Sequence, residues 1–517
     1  MYKLGIDVGG TNTDAVLIDE NLNVVASIKQ HTTSDVYSGI MNAIHVVLEQ
    51  SGVDRSEIGQ AMLGTTHCTN AIVERKNLAP IGVMRIGAPA SRGIPVMVDW
   101  AEDLKAVAVK TAIVGGGFEY DGKEIAPFDV AAATSFFKDL KAQGVKSVAI
   151  SCVFSTVRND HELEAAKLCK EIMGEDVHVS ISSEIGSMGL IERENATILN
   201  AALYKVAESF TEGFAQSLAD EGVTNAQIYL SQNDGTLMTM EYARRYPILT
   251  IACGPTNSIR GASYLSQLKN AIVIDVGGTT TDLGVIQNGF PRESGVAVTI
   301  GGVRTNFRMP DVVSIGLGGG SIVRQKEDGT VTVGPDSVGY QITEKALCFG
   351  GDVCTATDIA VRLGMTDLGD KALVAEIDEE FAKKAMDAIR ALCEDAIDAM
   401  KVSSDDVDVI LVGGGSIVLP EDLVGAKSVT KHEHGGVANA IGSAISKVSG
   451  TYEQLIDYNE IPRDEALAKA RADAIELAVV AGAIRETVEI IDAEDVPLQY
   501  YPGNTARVKI KAAGDLA

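Results

Sequence analysis

Two short stretches of this 517-residue chain carry the same chemistry at matching positions. Residues 4–18 read LGIDVGGTNTDAVLI and residues 272–286 read IVIDVGGTTTDLGVI, with nine of fifteen positions identical. In each copy an apolar run ends in an aspartate, Asp7 or Asp275, and two glycines and a hydroxyl-rich turn follow. Gly9 and Gly10, like Gly277 and Gly278, lack a Cβ, so the turn is free to take positive φ and to approach a phosphate closely. The N–H groups and side chains of Thr11, Asn12 and Thr13, matched by Thr279, Thr280 and Thr281, are candidate phosphate donors. Asp7 and Asp275, at strand ends, are the candidate catalytic and metal-holding carboxylates, because Mg²⁺ prefers oxygen ligands and keeps part of its water. Asp14 and Asp282 close the repeats; they either orient the hairpin and hold metal-bound water, or cap the turn by accepting its own N–H groups.

Two further glycine clusters fit the same chemistry. The run VGGGS at 412–416 places Gly413, Gly414, Gly415 and Ser416 after an apolar strand pattern, and GLGGGS at 316–321 contributes Gly318 and Gly319. Either can pass beneath a base or ribose without a side-chain clash. The chain has no GxxxxGK[ST], so it is not a P-loop ATPase. A polar cluster at Thr65, Thr66, His67 and Asn70 is a candidate substrate contact, with helix capping as the alternative for the threonines. Glu192, Arg193 and Glu194 open a helical run and read as a solvated or salt-bridged face.

The elements that would carry these residues are those of an α/β protein. After the first Gly-Gly-Thr the spacing of three and four expected of a helix is absent, so the element is strand–turn–strand rather than the strand–loop–helix of a dinucleotide fold. Helical patterns at 36–51, 129–143, 188–221, 378–401, 436–448 and 464–481 alternate with strand patterns. The strand patterns fall at 61–64, 80–86, 147–154, 228–232, 248–252, 407–415, 486–491 and 505–511. The 268 residues between equivalent aspartates suffice for a whole lobe, so duplication of a lobe is expected. The expected division is an N-terminal lobe over 1–187, a second over 188–450 and a small α/β appendage over 451–517. The expected architecture is the two-lobed actin/hexokinase/heat-shock-chaperone type of ATPase, with a duplicated β-hairpin phosphate-binding core.

A net charge of −27 disfavours nucleic acid and anionic membranes as partners. No stretch reaches about 18 uninterrupted apolar residues, and the first residues show no signal pattern. Seven scattered cysteines without a CxxC fit reduced thiols in a cytoplasmic protein.

The motifs GTTHCTNAIVERK (64–76), IERENATILNAAL (191–203), CGPTNSIRGA (253–262) and SIGLGGGSI (314–322), added to the two repeats, resemble the hydantoinase/oxoprolinase family along essentially the whole chain. The resemblance implies an ATP- and Mg²⁺-dependent enzyme that activates a cyclic amide (a hydantoin, 5-oxoproline or a lactam) by phosphorylating its carbonyl oxygen. It also implies a second, hydrolytic or carboxylating subunit and an oligomer. Two other expectations stay open: carbonyl activation for carboxylation, as in the acetone-carboxylase branch, and a reactivase-like ATPase acting on a partner protein. The sequence departs from the family's usual pattern at 253–258, which reads CGPTNS where many members read SGPAGG.

Overall fold

The computed structural model describes residues 1–10, 12–32, 36–294, 298–307, 309–498 and 503–516. Both repeats form antiparallel hairpins. Tyr2–Val8 pairs with Asn12–Ile18, and Ala271–Val276 pairs with Thr281–Gln287. The register is the same in both, with Asp7 opposite Asp14 and Asp275 opposite Asp282. The tight turns match as well: Gly9 N–H donates to Asn12 O and Gly277 N–H to Thr280 O, each at 2.9 Å.

Each hairpin is apolar on both faces because both faces are covered. In the first, Leu4, Ile6, Ala15 and Leu17 join one core, while Val16 and Ile18 join another on the opposite side. In the second, Ile272, Ile274 and Leu283 face one core and Val273 and Ile286 another. The strand period of two thus turns an unbroken apolar run into two packed layers.

The first hairpin sits in a nine-stranded mixed sheet. Its order is Glu489–Pro497, Thr505–Gly514, Val448–Asp457, Leu237–Thr239, Gln227–Ser231, Ile58–Thr65, Tyr2–Val8, Asn12–Ile18, Val24–His31. The second belongs to a six-stranded mixed sheet with Val407–Val412 and Ala426–Lys431 parallel to Ala271–Val276. A four-stranded parallel sheet lies between the first sheet's Ile58–Thr65 and Gln227–Ser231 in sequence; it is made of Ala108–Gly115, Ile81–Ala88, Ser147–Cys152 and His178–Ile181. The protein is therefore an α/β fold with mixed sheets.

The nine-stranded sheet draws strands from all three sequence segments, 1–187, 188–450 and 451–517. The segment after 451, expected as an appendage, completes that sheet: Val448–Asp457 pairs with Leu237–Thr239 and, along its whole length, with Thr505–Gly514. The helix Arg463–Val480 covers these strands with a stripe of Ala466, Ala470, Ala474 and Ala478, all buried. The run 248–252, expected as a strand, instead forms a helical turn over Pro247–Thr250. Proline has no N–H for a ladder, and Thr250 Oγ1 donates back to Pro247 O at 2.8 Å.

Two helices carry the chain between the large sheets. Cys253–Ser266 crosses from the first to the second, and Ala438–Ile445 returns it. They touch backbone to backbone. A Cβ on Gly261 would fall 1.8 Å from Ala438 O, and one on Gly442 would fall 1.8 Å from Asn257 O.

Candidate active site

The two hairpin turns and the two connecting helices enclose a cavity of about 480 Å³. Asp7, Asp14, Asp275 and Asp282 all stand on its wall, with Gly9, Gly10, Asn12, Gly277, Gly278, Thr279 and Thr280 of the turns. Gly319, Gly413, Gly414 and Gly415 also line it, as does Thr66. Tyr340, Ile342, Leu368 and Ile417 give one part of the wall apolar character.

The four carboxylates are held differently. Asp7 is buried and accepts from two carboxamides, Asn257 Nδ2 at 2.9 Å and Asn439 Nδ2 at 3.0 Å. Burial outweighs these donors and pushes its carboxyl up to about 6, with Asp14 and Asp275 adding to the effect. Asp275 accepts from Ser258 Oγ at 2.5 Å, and burial again raises its carboxyl above the ordinary value. Asp14 is paired with Lys29, whose ammonium reaches both carboxylate oxygens at 2.8 and 2.6 Å and also donates to Gly436 O at 2.9 Å. Burial keeps the Asp14 carboxyl above its usual range despite that pairing. Asp282 accepts from Ser314 Oγ, and burial pushes it up to about 6. Among the described residues, neither Asp14 nor Asp282 accepts from a backbone N–H of its own turn.

Several expected contacts lie elsewhere. Thr11 is outside the described residues. Thr13 and Thr281 fall on the side of the strand away from the cavity: Thr13 Oγ1 meets Thr32 Oγ1 at 3.3 Å and Thr281 Oγ1 donates to Leu317 O at 2.6 Å. Gly318 is behind the second turn rather than on the wall; a Cβ there would lie 2.6 Å from Gly278 C and Thr279 N. The chain beside it holds that turn from below, with Gly319 N–H donating to Gly277 O at 3.0 Å and Gly320 N–H to Gly278 O at 2.8 Å. Ser416 turns its N–H back to Gly413 O at 3.2 Å and is not on the wall. Thr65 is buried against His67 Nδ1 and Cys253 Sγ. His67 faces a separate groove with Tyr37 and Phe210, and Asn70 donates to Thr66 Oγ1 at 3.4 Å. Of that cluster only Thr66 reaches the cavity.

The glycines of the hairpin turns do not use left-handed backbone. Gly9, Gly10 and Gly277 keep φ outside that region, and a Cβ on Gly10 would meet nothing within 4 Å. Their bare Cα atoms leave the cavity open. The conformational requirement falls on Gly413 instead, at φ +84°, where a Cβ would lie 2.3 Å from Asp275 Oδ1 and 2.4 Å from Val276 O.

Sequence reasoning missed Lys29, Asn257, Ser258 and Asn439. Lys29 had a signal: the turn at Asp19–Asn23 sets a register that puts it opposite Asp14. Asn439 had none, since it meets Asp7 across 432 positions.

Among the described residues no three His, Cys, Asp or Glu side chains converge as a ready-made metal site. What the wall offers instead is hard carboxylate oxygens in two pairs, beside two glycine turns. That donor set suits a divalent cation that brings phosphate oxygens and water with it.

Paired equivalent hairpins closing on one acidic cavity define a class, an α/β protein with an internally repeated hairpin and a cavity at the junction of the two copies. Residues 3–173 match the hydantoinase/oxoprolinase N-terminal region and residues 193–372 match hydantoinase/oxoprolinase, together about two thirds of the chain. The chain belongs to the hydantoinase/oxoprolinase family. An uncharacterised protein of Methanocaldococcus jannaschii is 26% identical over the whole of this chain and 82% of its own length. The caprolactamase subunit alpha of Pseudomonas jessenii is 27% identical over 75% of this chain; the chain spans 58% of that subunit. The crystal structure of the ATP-dependent caprolactamase from the same organism superposes with a TM-score of 0.81 at 20% identity, covering 99% of this chain and 87% of that one. That likeness extends the shared fold beyond the matched segments. No helix among the described residues is long and apolar enough to cross a membrane.

Proposed function

We propose that this chain is the ATP- and Mg²⁺-using component of a cyclic-amide hydrolase of the hydantoinase/oxoprolinase type. In this reading the fold is the two-lobed actin/hexokinase-like clamp, with the large sheets as lobes and the hairpin turns gripping the β- and γ-phosphates. The observation that carries it is the convergence of two equivalent Asp-Val-Gly-Gly-Thr hairpins, 268 residues apart, on one cavity.

Each residue then has a task. The turn amides and Thr279 and Thr280 bind phosphate oxygens, while Gly413, Gly414, Gly415 and the apolar wall leave room for ribose and base. Asp7 and Asp275 hold Mg²⁺, directly or through water; when bound, that ion neutralises charge on the phosphates. Lys29 is the one basic side chain among the described wall residues. The carbonyl oxygen of the amide attacks the γ-phosphorus, the bond to the β-phosphate oxygen breaks and ADP leaves. Water adds to the carbon of the resulting imidate phosphate, the ring C–N bond breaks with a proton passing to the leaving nitrogen, and a second water releases phosphate from the acyl phosphate that remains. Catalysis of the first step is a matter of positioning and charge, so no covalent nucleophile is required.

The proposal includes a cytoplasmic setting, a partner subunit that completes hydrolysis, and assembly as an oligomer. It is tested by ADP release from purified protein with hydantoins, 5-oxoproline, lactams and ketones, each with and without candidate partner subunits. Lactam- or hydantoin-stimulated ADP release that Asp7→Ala and Asp275→Ala abolish in folded protein supports the reading. Wild-type turnover in both variants removes those carboxylates from it, ketone-stimulated release that needs bicarbonate assigns the carboxylating branch, and stimulation by a protein alone assigns the reactivase type.

A further inference from the structure

Consecutive residues of the crossover helix Cys253–Ser266 reach opposite hairpins. Asn257 Nδ2 donates to Asp7 Oδ1 at 2.9 Å, and Ser258 Oγ donates to Asp275 Oδ2 at 2.5 Å. Neighbouring side chains on a helix diverge by about 100°, so one turn can serve both aspartates only by lying between them. We infer that Asn257 and Ser258 are positioning residues that key the carboxylates of the two hairpins to a single helix turn, fixing their mutual placement before any ligand enters. The catalytic consequence of this pairing rests on the nucleotide reading of the cavity; the pairing itself does not.

Three observations bear on it. The first is the fit around the Asp7–Asn257 contact. A Cβ on Gly64 would lie 2.2 Å from Asp7 Oδ1 and 2.3 Å from Asn257 Nδ2, so the neighbouring strand leaves room for this pair and for nothing more. The second is the other end of the same carboxamide. Asn257 Oδ1 is buried with no hydrogen-bond partner among the described residues, a net cost that stability alone does not explain. The carboxamide is turned to give its donor to Asp7 and leaves its acceptor unpaired.

The third is how the helix begins. Ala252, the residue before it, sits in left-handed backbone at φ 62° and ψ 24°, a strained state for a residue with a Cβ. Cys253 is pinned beside it. Its thiol donates to Thr65 O at 3.3 Å and its sulfur accepts from Thr65 N–H at 3.4 Å, at the end of the strand next to the first hairpin. The start of the helix is thus fixed against the first sheet while its next residues address both hairpins.

The test uses the full chain and the variants Asn257→Ala, Ser258→Ala, Ser258→Thr and the double alanine. Turnover should fall about ten- to a hundredfold per alanine, the effect of losing a hydrogen bond to a charged group, with the loss in kcat rather than in KM for ATP and with Ser258→Thr close to wild type. The double variant should lose less than the product of the singles because both donors act through one helix turn. Should Asn257→Ala fail to fold, Ser258→Ala against Ser258→Thr decides the matter on the cavity wall. Turnover within about twofold of wild type, or a loss that Ser258→Thr does not rescue, overturns the inference. If the wild-type protein binds no nucleotide the nucleotide reading falls instead, and the pairing is decided by urea denaturation, where strict additivity of Ser258→Ala with Asp275→Ala overturns it.

Discussion

Lys29→Met tests the electrostatics of the cavity most directly. In wild type the Asp14 carboxylate is 1% exposed, and Lys29, 34% exposed, is its only ion-pair partner in the described structure. Methionine keeps the length of the side chain and removes the ammonium, leaving Asp14 buried and uncompensated and Gly436 O without its donor. Breaking a fully buried pair costs about 3–5 kcal/mol. Because Lys29 is about a third exposed, solvent screens part of the interaction, and about 1–3 kcal/mol is expected at neutral pH. The pH dependence gives the sign. Burial already raises the Asp14 carboxyl in the folded protein, and losing Lys29 raises it further. A carboxyl raised on folding takes up its proton first in the folded state, so folded protein gains stability relative to unfolded as pH falls through that window. The deficit of Lys29→Met against wild type should therefore shrink as the solution is acidified and Asp14 becomes neutral. Urea denaturation at several pH values between about 8 and 5 measures it. A double-mutant cycle with Asp14→Asn should return a coupling of about 1–3 kcal/mol at neutral pH. A deficit that is constant with pH, or strictly additive with Asp14→Asn, would refute the reasoning.

Gly413→Ala places a methyl group 2.3 Å from Asp275 Oδ1 in left-handed backbone; at least about 1–3 kcal/mol of stability should be lost, with turnover, by thermal melting and ADP release. Asp7 and Asp282 are both pushed up to about 6 by burial, so turnover should fall as pH drops below about 6; a profile flat to about pH 5 would count against ionised carboxylates in the site. Off the cavity wall, Arg85 and Glu194 form a fully buried pair joined at 2.5 and 2.7 Å, with Ser151 Oγ donating to the same carboxylate at 2.7 Å. Arg85→Met should cost about 3–5 kcal/mol in urea denaturation while leaving nucleotide affinity in the surviving folded fraction within about twofold.

The hairpins were legible because their signal is local and doubled: strand period, glycine turn and terminal aspartate all occur within fifteen residues. The α/β class followed from the same periodicity, and helices such as Glu379–Met400 came within a residue or two. What was not legible depends on contacts far apart in the chain. That Val448–Asp457 pairs with Leu237–Thr239 cannot be read from either strand, and so the expected appendage is part of the first sheet. Arg193 and Glu194 read as part of a solvated or salt-bridged face; Glu194 does pair with Arg85, but both residues are buried, Arg193 donating to Ser182 Oγ and to Cys152 O. Thr13 was misplaced for a simpler reason. Adjacent residues of a strand point to opposite faces, and of Asn12 and Thr13 only Asn12 lines the cavity. The run 248–252 shows apolar composition overridden by one proline.

The return of the last part of the chain to the first sheet has a consequence for how the protein is made. Asp7 emerges from the ribosome among the first residues, yet Asn439, one of its two donors, is synthesised 432 residues later. The strand that closes the sheet beside Leu237–Thr239 follows only at Val448. At about 5–20 residues per second, the first hairpin waits on the order of tens of seconds with its aspartate and one sheet edge unfinished. Such long loops make the last closures the slow ones. The cavity is thus completed only late in synthesis, and a nascent chain halted before the return helix should hold its early strands without a working site.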